Sequence, residues 1–312
     1  SWYRLDNAAV LYSSLQREKY SPVYRFSAVM TEPVDPEALQ RAVDKTMPRF
    51  PGFRVKLSRG VFWHYFEPND LPGPFVRPDM ANPCQPVRFQ EDNGWLIRFF
   101  YYEKRISLEV FHAVSDGAGA LVFFRTVLAV YLRQMGHDIP NGNGVLDIAQ
   151  PPSPGELEDA YARYAGKKVL RLGLEKTAYP NISEPEPFYT LNVTMGFLTV
   201  DALKVKAKEY GASITEYLAA VLIEAIMENQ AARHPLRQRP VTLAVPINLR
   251  AYFPSDTLRN FILTVRPVIN PTLGPYTLAE IVSQVHHYMR LHITRQEMQA
   301  VFTGNVHFTT NR

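Results

Sequence analysis

The chain has 312 residues and a formal net charge of +4, with 46% hydrophobic and 21% charged residues. This balance is close to the soluble globular average, so it excludes general disorder, and the absence of any long run of like charges excludes a nucleic-acid-binding tail. A single cysteine, Cys84, excludes an internal disulfide and a cysteine-built metal cluster and fits a reducing, cytoplasmic setting.

Ser1 to Val10 lacks the basic-then-apolar layout of a signal peptide. The longest apolar segment, Leu121 to Leu132, is short and is interrupted by Arg125, so no membrane span is expected. In chain order, Asn7 to Leu15 reads as a short helix and Val23 to Met30 as a strand. Asp35 then caps a helix with Pro36 at its first position and Glu37 in its first turn, running to Pro48. Phe53 to Leu57 and Val61 to Phe66, joined at Ser58, Arg59 and Gly60, read as a hairpin. The prolines between Leu71 and Pro86 predict a loop with neither ladder nor helix. Val87 to Gln90, Trp95 to Tyr102 and Ile106 to Phe111 then predict three successive antiparallel strands. A helix follows and stops near Gly136.

His137 to Pro187 is rich in Pro, Gly and Asn and reads as a linker with a helical island at Glu156 to Ala165. The expected organisation is residues 1–137 as a first domain, 138–187 as a crossover and 188–312 as a second domain. In the second half, Tyr189 to Val200 alternates as a strand and Asp201 to Gly211 reads as a helix. Ser213 and Glu216 form a capping box opening an apolar helix through Tyr217, Leu218, Val221, Leu222, Ala225 and Ile226. Val241 to Val245 and Phe261 to Val268 read as strands, and Thr277 opens a final helix to about His292.

The chemistry concentrates in Ile106 to Gly119. Ile106, Leu108, Val110 and His112 share one side of a period-2 pattern, so a strand delivers an imidazole at its end. Ser115, Asp116, Gly117 and Gly119 are turn and helix-start residues, and a helical period begins at Leu121. A strand, a tight acidic turn and a helix make a rigid holder for one base.

The run His112, Ala113, Val114, Ser115, Asp116, Gly117 resembles the His-x-x-x-Asp-Gly signature of the chloramphenicol-acetyltransferase-like superfamily. That group includes alcohol O-acyltransferases, plant BAHD acyltransferases and peptide-synthetase condensation domains. Pro246 to Arg250 and Arg259-Asn260-Phe261 resemble second-domain segments of bacterial alcohol-acetyltransferase-like and condensation-like proteins. The resemblance implies an α/β fold of two α+β sandwich subdomains with mixed, largely antiparallel sheets. It implies His112 as general base, Asp116 as a structural carboxylate paired with Arg250, and Gly117 as motif backbone. Asn260 is a candidate oxyanion donor. The implied co-substrate is acetyl-CoA or another acyl-CoA, with no metal, and the implied partner is a small alcohol or amine acceptor.

Condensation domains usually begin the motif with two histidines, and Phe111 stands at the first position here, which favours a free-standing O-acyltransferase. Amide or ester formation on carrier-bound substrates is the alternative, and a non-catalytic acyl-CoA or hydrophobic-ligand binding module is a third reading. The glycine-bearing C-terminal motif of the plant branch, Asp-Phe-Gly-Trp-Gly, is not found. The second subdomain is therefore expected to be truncated, with exposed apolar surface that promotes self-association. His286, His287 and His292 lack the i, i+4 spacing of a zinc-protease pair and read as a solvated helix face.

Overall fold

The computed structural model describes residues 2–17, 21–60, 63–89, 91–167, 177–180, 186–187, 190–233 and 236–310, the side chains of 308–310 excepted. From the N-terminus run β1 (Tyr3–Arg4), α1 (Asn7–Leu15), β2 (Val23–Val29), α2 (Pro36–Thr46), β3 (Val55–Arg59) and β4 (His64–Pro68). Then come β5 (Val76–Pro78), β6 (Ile97–Tyr102), β7 (Arg105–Phe111) and α3 (Gly117–Gln134). The rest comprises α4 (Ala160–Tyr164), α5 (Val200–Glu209), α6 (Ile214–Arg233), β8 (Val241–Thr242), β9 (Val245–Asn248), β10 (Ile262–Val265), β11 (Val268–Ile269), α7 (Leu278–His292) and α8 (Arg295–Thr310). This is the mixed α/β, largely antiparallel architecture expected from the sequence.

Strand β7 is the inner strand that fixes the site. It pairs antiparallel with β2 on one side and with β6 on the other, in the order β2-β7-β6-β5. Ile106, Leu108 and Val110 are buried with Phe123, Phe124 and Val127 of α3 in one apolar cluster. The opposite face carries Ser107, Glu109 and Phe111, and it too is buried. There Glu109 meets Arg25 at 2.7 Å and Arg98 at 2.7 Å, and Asp79 meets Arg25 and Arg105. Buried carboxylates persist because each is paired and hydrogen-bonded. The loop carrying Asp79 and Cys84 is thereby fastened to the sheet, with the Cys84 N–H donating to Glu109.

Local signals explain the helices. Asp35 accepts from the N–H groups of Glu37 and Ala38 at the start of α2, and Pro36 occupies the first helical position. Ser213 with Glu216, and Thr277 with Glu280, form reciprocal capping boxes at α6 and α7. A second apolar cluster joins Ala220 and Ile223 of α6 to Ile281, Val282 and Val285 of α7. A third draws Ala8, Tyr161, Leu249, Phe253, Phe261, Met298 and Phe302 together.

Several expectations are corrected. Val87 to Phe89 form no strand, and Gln90 lies outside the described residues. Val87 is instead a buried anchor whose carbonyl accepts from Gln16. The fourth strand is β5, inside the proline-rich loop, and it runs parallel to β6. As a three-residue edge strand it accommodates Pro78, which lacks the N–H an inner strand needs. The two expected second-half strands are each divided, into β8 with β9 and into β10 with β11, and Pro267 interrupts the latter pair by the same lack of an N–H.

Residues 190–199 form no strand, and Tyr189 lies outside the described residues. Helix α6 buries Ala219, Ala220 and Ile223 while Leu218 and Leu222 face outward, so its core face is the small-residue side rather than the Leu side. Within residues 138–187, Glu156 is held by Arg49 through two bonds of 2.6 and 2.8 Å, and Tyr161 is fully buried. Helix α8 is additional to the elements read from the sequence. No single helix among the described residues is long and apolar enough to cross a membrane.

Candidate functional site

His112 follows the last residue of β7, and its N–H donates to the Pro22 carbonyl at 2.7 Å, which extends the ladder to the imidazole. Two tyrosines hold the ring. Tyr12 of α1 stacks on it with centroids 4.0 Å apart at 20°, and Tyr24 of β2 meets it edge-on at 4.8 Å. Tyr24 is itself fixed by donating its hydroxyl proton to the Ser115 carbonyl.

Asn260 supplies the polar neighbour. Its Oδ1 is 3.3 Å from His112 Nδ1, and its amide donates to the Ala113 carbonyl at 3.2 Å. The expected oxyanion donor thus presents an acceptor to the imidazole. Burial lowers the His112 pKa below its ordinary 6.5; bonds to its own main-chain carbonyl and to Asn260, and the Asp116 charge, act in the opposite direction without reversing that. The ring is held as the neutral base.

Asp116 does not touch the imidazole among the recorded bonds. It is the N-cap of α3, where Oδ1 accepts from the N–H groups of Ala118 and Gly119. Oδ2 accepts from Arg250 Nη1 at 2.8 Å and from the Phe261 N–H at 2.7 Å. Arg250 in turn donates to the Thr257 and Arg259 carbonyls and to Asn248 Oδ1. A buried carboxylate is tolerated here because it accepts four hydrogen bonds, one of them from the Arg250 guanidinium. This clamp ties residues 257–261 to the start of α3.

Two further motif residues permit that close approach. A Cβ on Gly119 would lie 2.1 Å from the Leu258 carbonyl oxygen, a main-chain atom that cannot yield. Gly119 is therefore required for contact as well as for helix start. Ser115, read from sequence only as a turn residue, is fully buried and donates to the same Leu258 oxygen at 2.6 Å. Gly117 opens α3 and is exposed, with Phe26 the nearest side chain to its face.

An open cavity of about 570 Å³ lies beyond Tyr12, between α1, β10 and the end of α7 with α8. Tyr161 and Phe302 line its floor, and His292, Glu297 and Asn305 contribute polar groups. Along α7, His286 faces Glu216 at 3.2 Å and His287 bonds the Ser283 carbonyl one turn back, the two rings meeting edge-on at 5.5 Å, while His292 faces Glu297.

No family model and no curated protein matches the sequence. Solved structures match in fold. Polyketide synthase associated protein 5 from Mycobacterium tuberculosis matches with a TM-score of 0.64 at 16% identity, over 96% of this chain and 76% of that one. The starter condensation domain of rhizomide synthetase RzmA, solved in complex with C8-CoA, matches with a TM-score of 0.58 at 15% identity, over 97% and 75%. SgcC5 from Streptomyces globisporus, in complex with (R)-(-)-1-(2-naphthyl)-1,2-ethanediol and sucrose, gives 0.55 at 16% identity, over 96% and 76%. The fold is condensation-domain-like. Shared sequence at this level carries no more than that.

The signals for the site were uneven. His112, Asp116 and Gly117 stand in one contiguous run. Arg250 and Asn260 came from the resemblance alone. Tyr12 and Tyr24 carried no signal beyond being aromatic residues in a helix and a strand.

Proposed function

We propose that the chain is a CoA-dependent O-acyltransferase with His112 as general base and without a covalent acyl-enzyme. The observation that carries this is an imidazole held between two tyrosine rings beside an ion-paired helix start. In the proposed reaction the acceptor hydroxyl gives its proton to His112 as its oxygen attacks the thioester carbonyl. The tetrahedral oxyanion collapses, the C–S bond breaks, and the departing CoA sulfur takes the proton from the imidazolium.

Asp116 and Arg250 act structurally, keeping the loop and residues 257–261 in register. On this reading the backbone N–H of Gly117 is the oxyanion donor, since Asn260 spends its amide on the Ala113 carbonyl and Asp116 takes the Ala118 and Gly119 N–H groups. The complexes of two fold neighbours with an acyl-CoA and with a diol support the choice of donor and acceptor classes. On this reading the chain divides as 1–137 carrying the base, 138–187 crossing over, and 188–312 carrying Arg250 and Asn260. The separate apolar clusters around Leu108 and Val282 support that division, and a cytoplasmic location is proposed from the single cysteine.

A second reading, condensation on a carrier-bound thioester, is favoured by the condensation domain among those neighbours. One assay separates them. Thiol release from acetyl-CoA and octanoyl-CoA is followed with a panel of alcohols and amines, alongside the same acyl groups on a phosphopantetheinylated carrier protein. The expected result is alcohol-dependent release from CoA that His112→Ala lowers by about 10²- to 10⁴-fold. Turnover confined to carrier-bound donors establishes the second reading, and no turnover by folded protein with any donor overturns both.

A further inference from the structure

Two of the chain's three tryptophans are placed unlike the third. Trp95 is 4% exposed, and its indole N–H donates to the Pro72 carbonyl at 3.0 Å. Trp2 is 63% exposed and Trp63 is 61% exposed, and among the described residues neither indole N–H has a recorded acceptor. An indole left in water forfeits one of the largest apolar contributions a side chain can make. One such ring is ordinary, but two on the same small sheet call for a cause.

That sheet is the three-stranded β1-β4-β3. Phe66 of β4 sets its inner face, since it is buried in the main apolar cluster with its cross-strand neighbours Tyr3 and Leu57 packed there too. Alternation therefore turns Tyr65 outward, with Arg4 opposite it on β1 and Ser58 opposite it on β3. Trp2 meets Tyr65 edge-on with ring centroids 6.1 Å apart, so it lies on the same outward face. The Gly60 N–H donates to the Trp63 carbonyl, which carries the ladder just past the end of β4 and keeps Trp63 in step with Tyr65. A Cβ on Gly60 would stand 3.5 Å from the indole, so that ring lies across the glycine and not into the core.

The charges on these strands are lopsided. Arg4, Lys56 and Arg59 stand against one carboxylate, Glu67. Glu67 is already engaged, with Lys56 at 3.5 Å and the Ser58 hydroxyl donating to it. Among the described residues Arg4 and Arg59 have no recorded ionic partner, and Asp70, just past β4, is paired with Arg54.

We infer that the outward face of β1-β4-β3 docks on an anionic lipid surface, with Trp2 and Trp63 seated at headgroup level and Arg4 and Arg59 meeting lipid phosphates. An indole suits that depth because its ring is apolar while its N–H still finds an acceptor. Apolar insertion and charge attraction each hold weakly alone, and this face offers both. Leu5 and Asp6 alone separate β1 from α1, so docking also holds the helix that bears Tyr12 at the surface. The inference does not rest on acyl transfer.

Co-sedimentation of the full chain with vesicles of phosphatidylglycerol and phosphatidylcholine in equal parts, against vesicles of phosphatidylcholine alone, tests this. Binding to the mixed vesicles is expected to be the stronger and to fall as salt is raised. Tryptophan emission should shift to the blue on binding and be quenched by brominated lipid. Replacing both rings, Trp2→Ala with Trp63→Ala, should lower binding by about tenfold or more and abolish the quenching, while Trp95 continues to report a native core. Arg4→Ser with Arg59→Ser should lower it by about fivefold for each cation removed.

No binding to the mixed vesicles at low salt overturns the inference, as does binding that the folded tryptophan variant retains. A blue shift that grows with protein concentration in the absence of lipid overturns it in favour of a second copy on this face. Should the tryptophan variant fail to fold, the native chain decides alone, and binding without quenching by the brominated lipid overturns the inference. None of these outcomes bears on thiol release, so the acyltransferase reading stands or falls separately.

Discussion

Residues 257–261 and residues 190–199 lie in the same half of the chain, and their sequence signals are the reverse of their structures. The first precedes β10 in irregular chain, yet Thr257, Asn260 and Phe261 are fully buried. The second alternates Leu191, Val193, Met195 and Phe197 as a strand does, yet each of these side chains is exposed. What separates them is polar satisfaction. Residues 257–261 exchange main-chain and side-chain bonds with Asp116, Arg250, Ser115 and Glu158. In residues 190–199 the long-range bond recorded is from the Leu191 N–H to Asn82 Oδ1. Alternation states which side chains share a face, whereas a strand also needs a neighbour for its N–H and C=O groups.

The largest expected effect is on the ordered segment. Arg250→Ala removes the guanidinium from a carboxylate that is 1% exposed and also strips a donor from the Thr257 and Arg259 carbonyls. Removing one partner of such a pair costs about 3–5 kcal/mol, because the remaining charge stays buried. Chemical denaturation with the native chain as reference measures it. A loss below about 1 kcal/mol would mean that the clamp is solvated in solution and that the contrast between the two segments is overstated.

A smaller, pH-dependent effect sharpens the other side of the clamp. Asp6 caps α1, the helix that carries Tyr12, by accepting from the Ala9 N–H, while its second oxygen has only Arg259 Nε at 3.5 Å, too long for a hydrogen bond. Burial raises its pKa from 3.8 to about 6, against the pull of Arg259 and the Ala9 bond. A raised folded value means the contribution of Asp6 to stability is complete below pH 3.8 and is lost as pH rises through about 6. Asn caps a helix as well as Asp does and carries no charge. The stability of Asp6→Asn relative to the native chain should therefore rise by about 3 kcal/mol at most across that window. Urea unfolding between pH 4 and pH 8 tests this, and a difference that stays flat with pH would show that Asp6 is hydrated and titrates normally.

The same contrast explains what the sequence made legible. Helix α1 was read at its observed bounds, and α2 was placed by Asp35 and Pro36, because caps and apolar period are local properties. The pairing of β5 with β6 was not, since a parallel neighbour is chosen by distant chain and prolines around Val76 argued against any ladder. In α8 the buried pair Met298 and Phe302 has helical spacing, but Gln, Thr, Gly and Asn around it dilute the pattern. At the site, His112, Asp116 and Gly117 are contiguous and therefore visible. Arg250 lies 134 residues from Asp116 and Asn260 lies 148 from His112, separations over which residue types alone carry no pairing information. Tyr12 is further removed still from any pattern, because a stacked ring in α1 looks in sequence like any other residue of an amphipathic helix.

The smallest expected effect belongs to the unpaired segment. Phe197 is 92% exposed, so truncating it removes almost no apolar surface that folding hides from water. Phe197→Ser should change the unfolding free energy by less than about 0.5 kcal/mol, as surface substitutions do. The urea midpoint at two protein concentrations is the measurement, because it also reports association. A loss beyond about 1 kcal/mol at both concentrations would place the ring under cover within one molecule, and a loss growing with concentration would place it under a second copy. In either case the alternation of residues 191–197 would mark a face that is covered, by the same molecule or by a second copy. An effect near zero at both concentrations would instead leave polar satisfaction, and not pattern, as what divides the two segments.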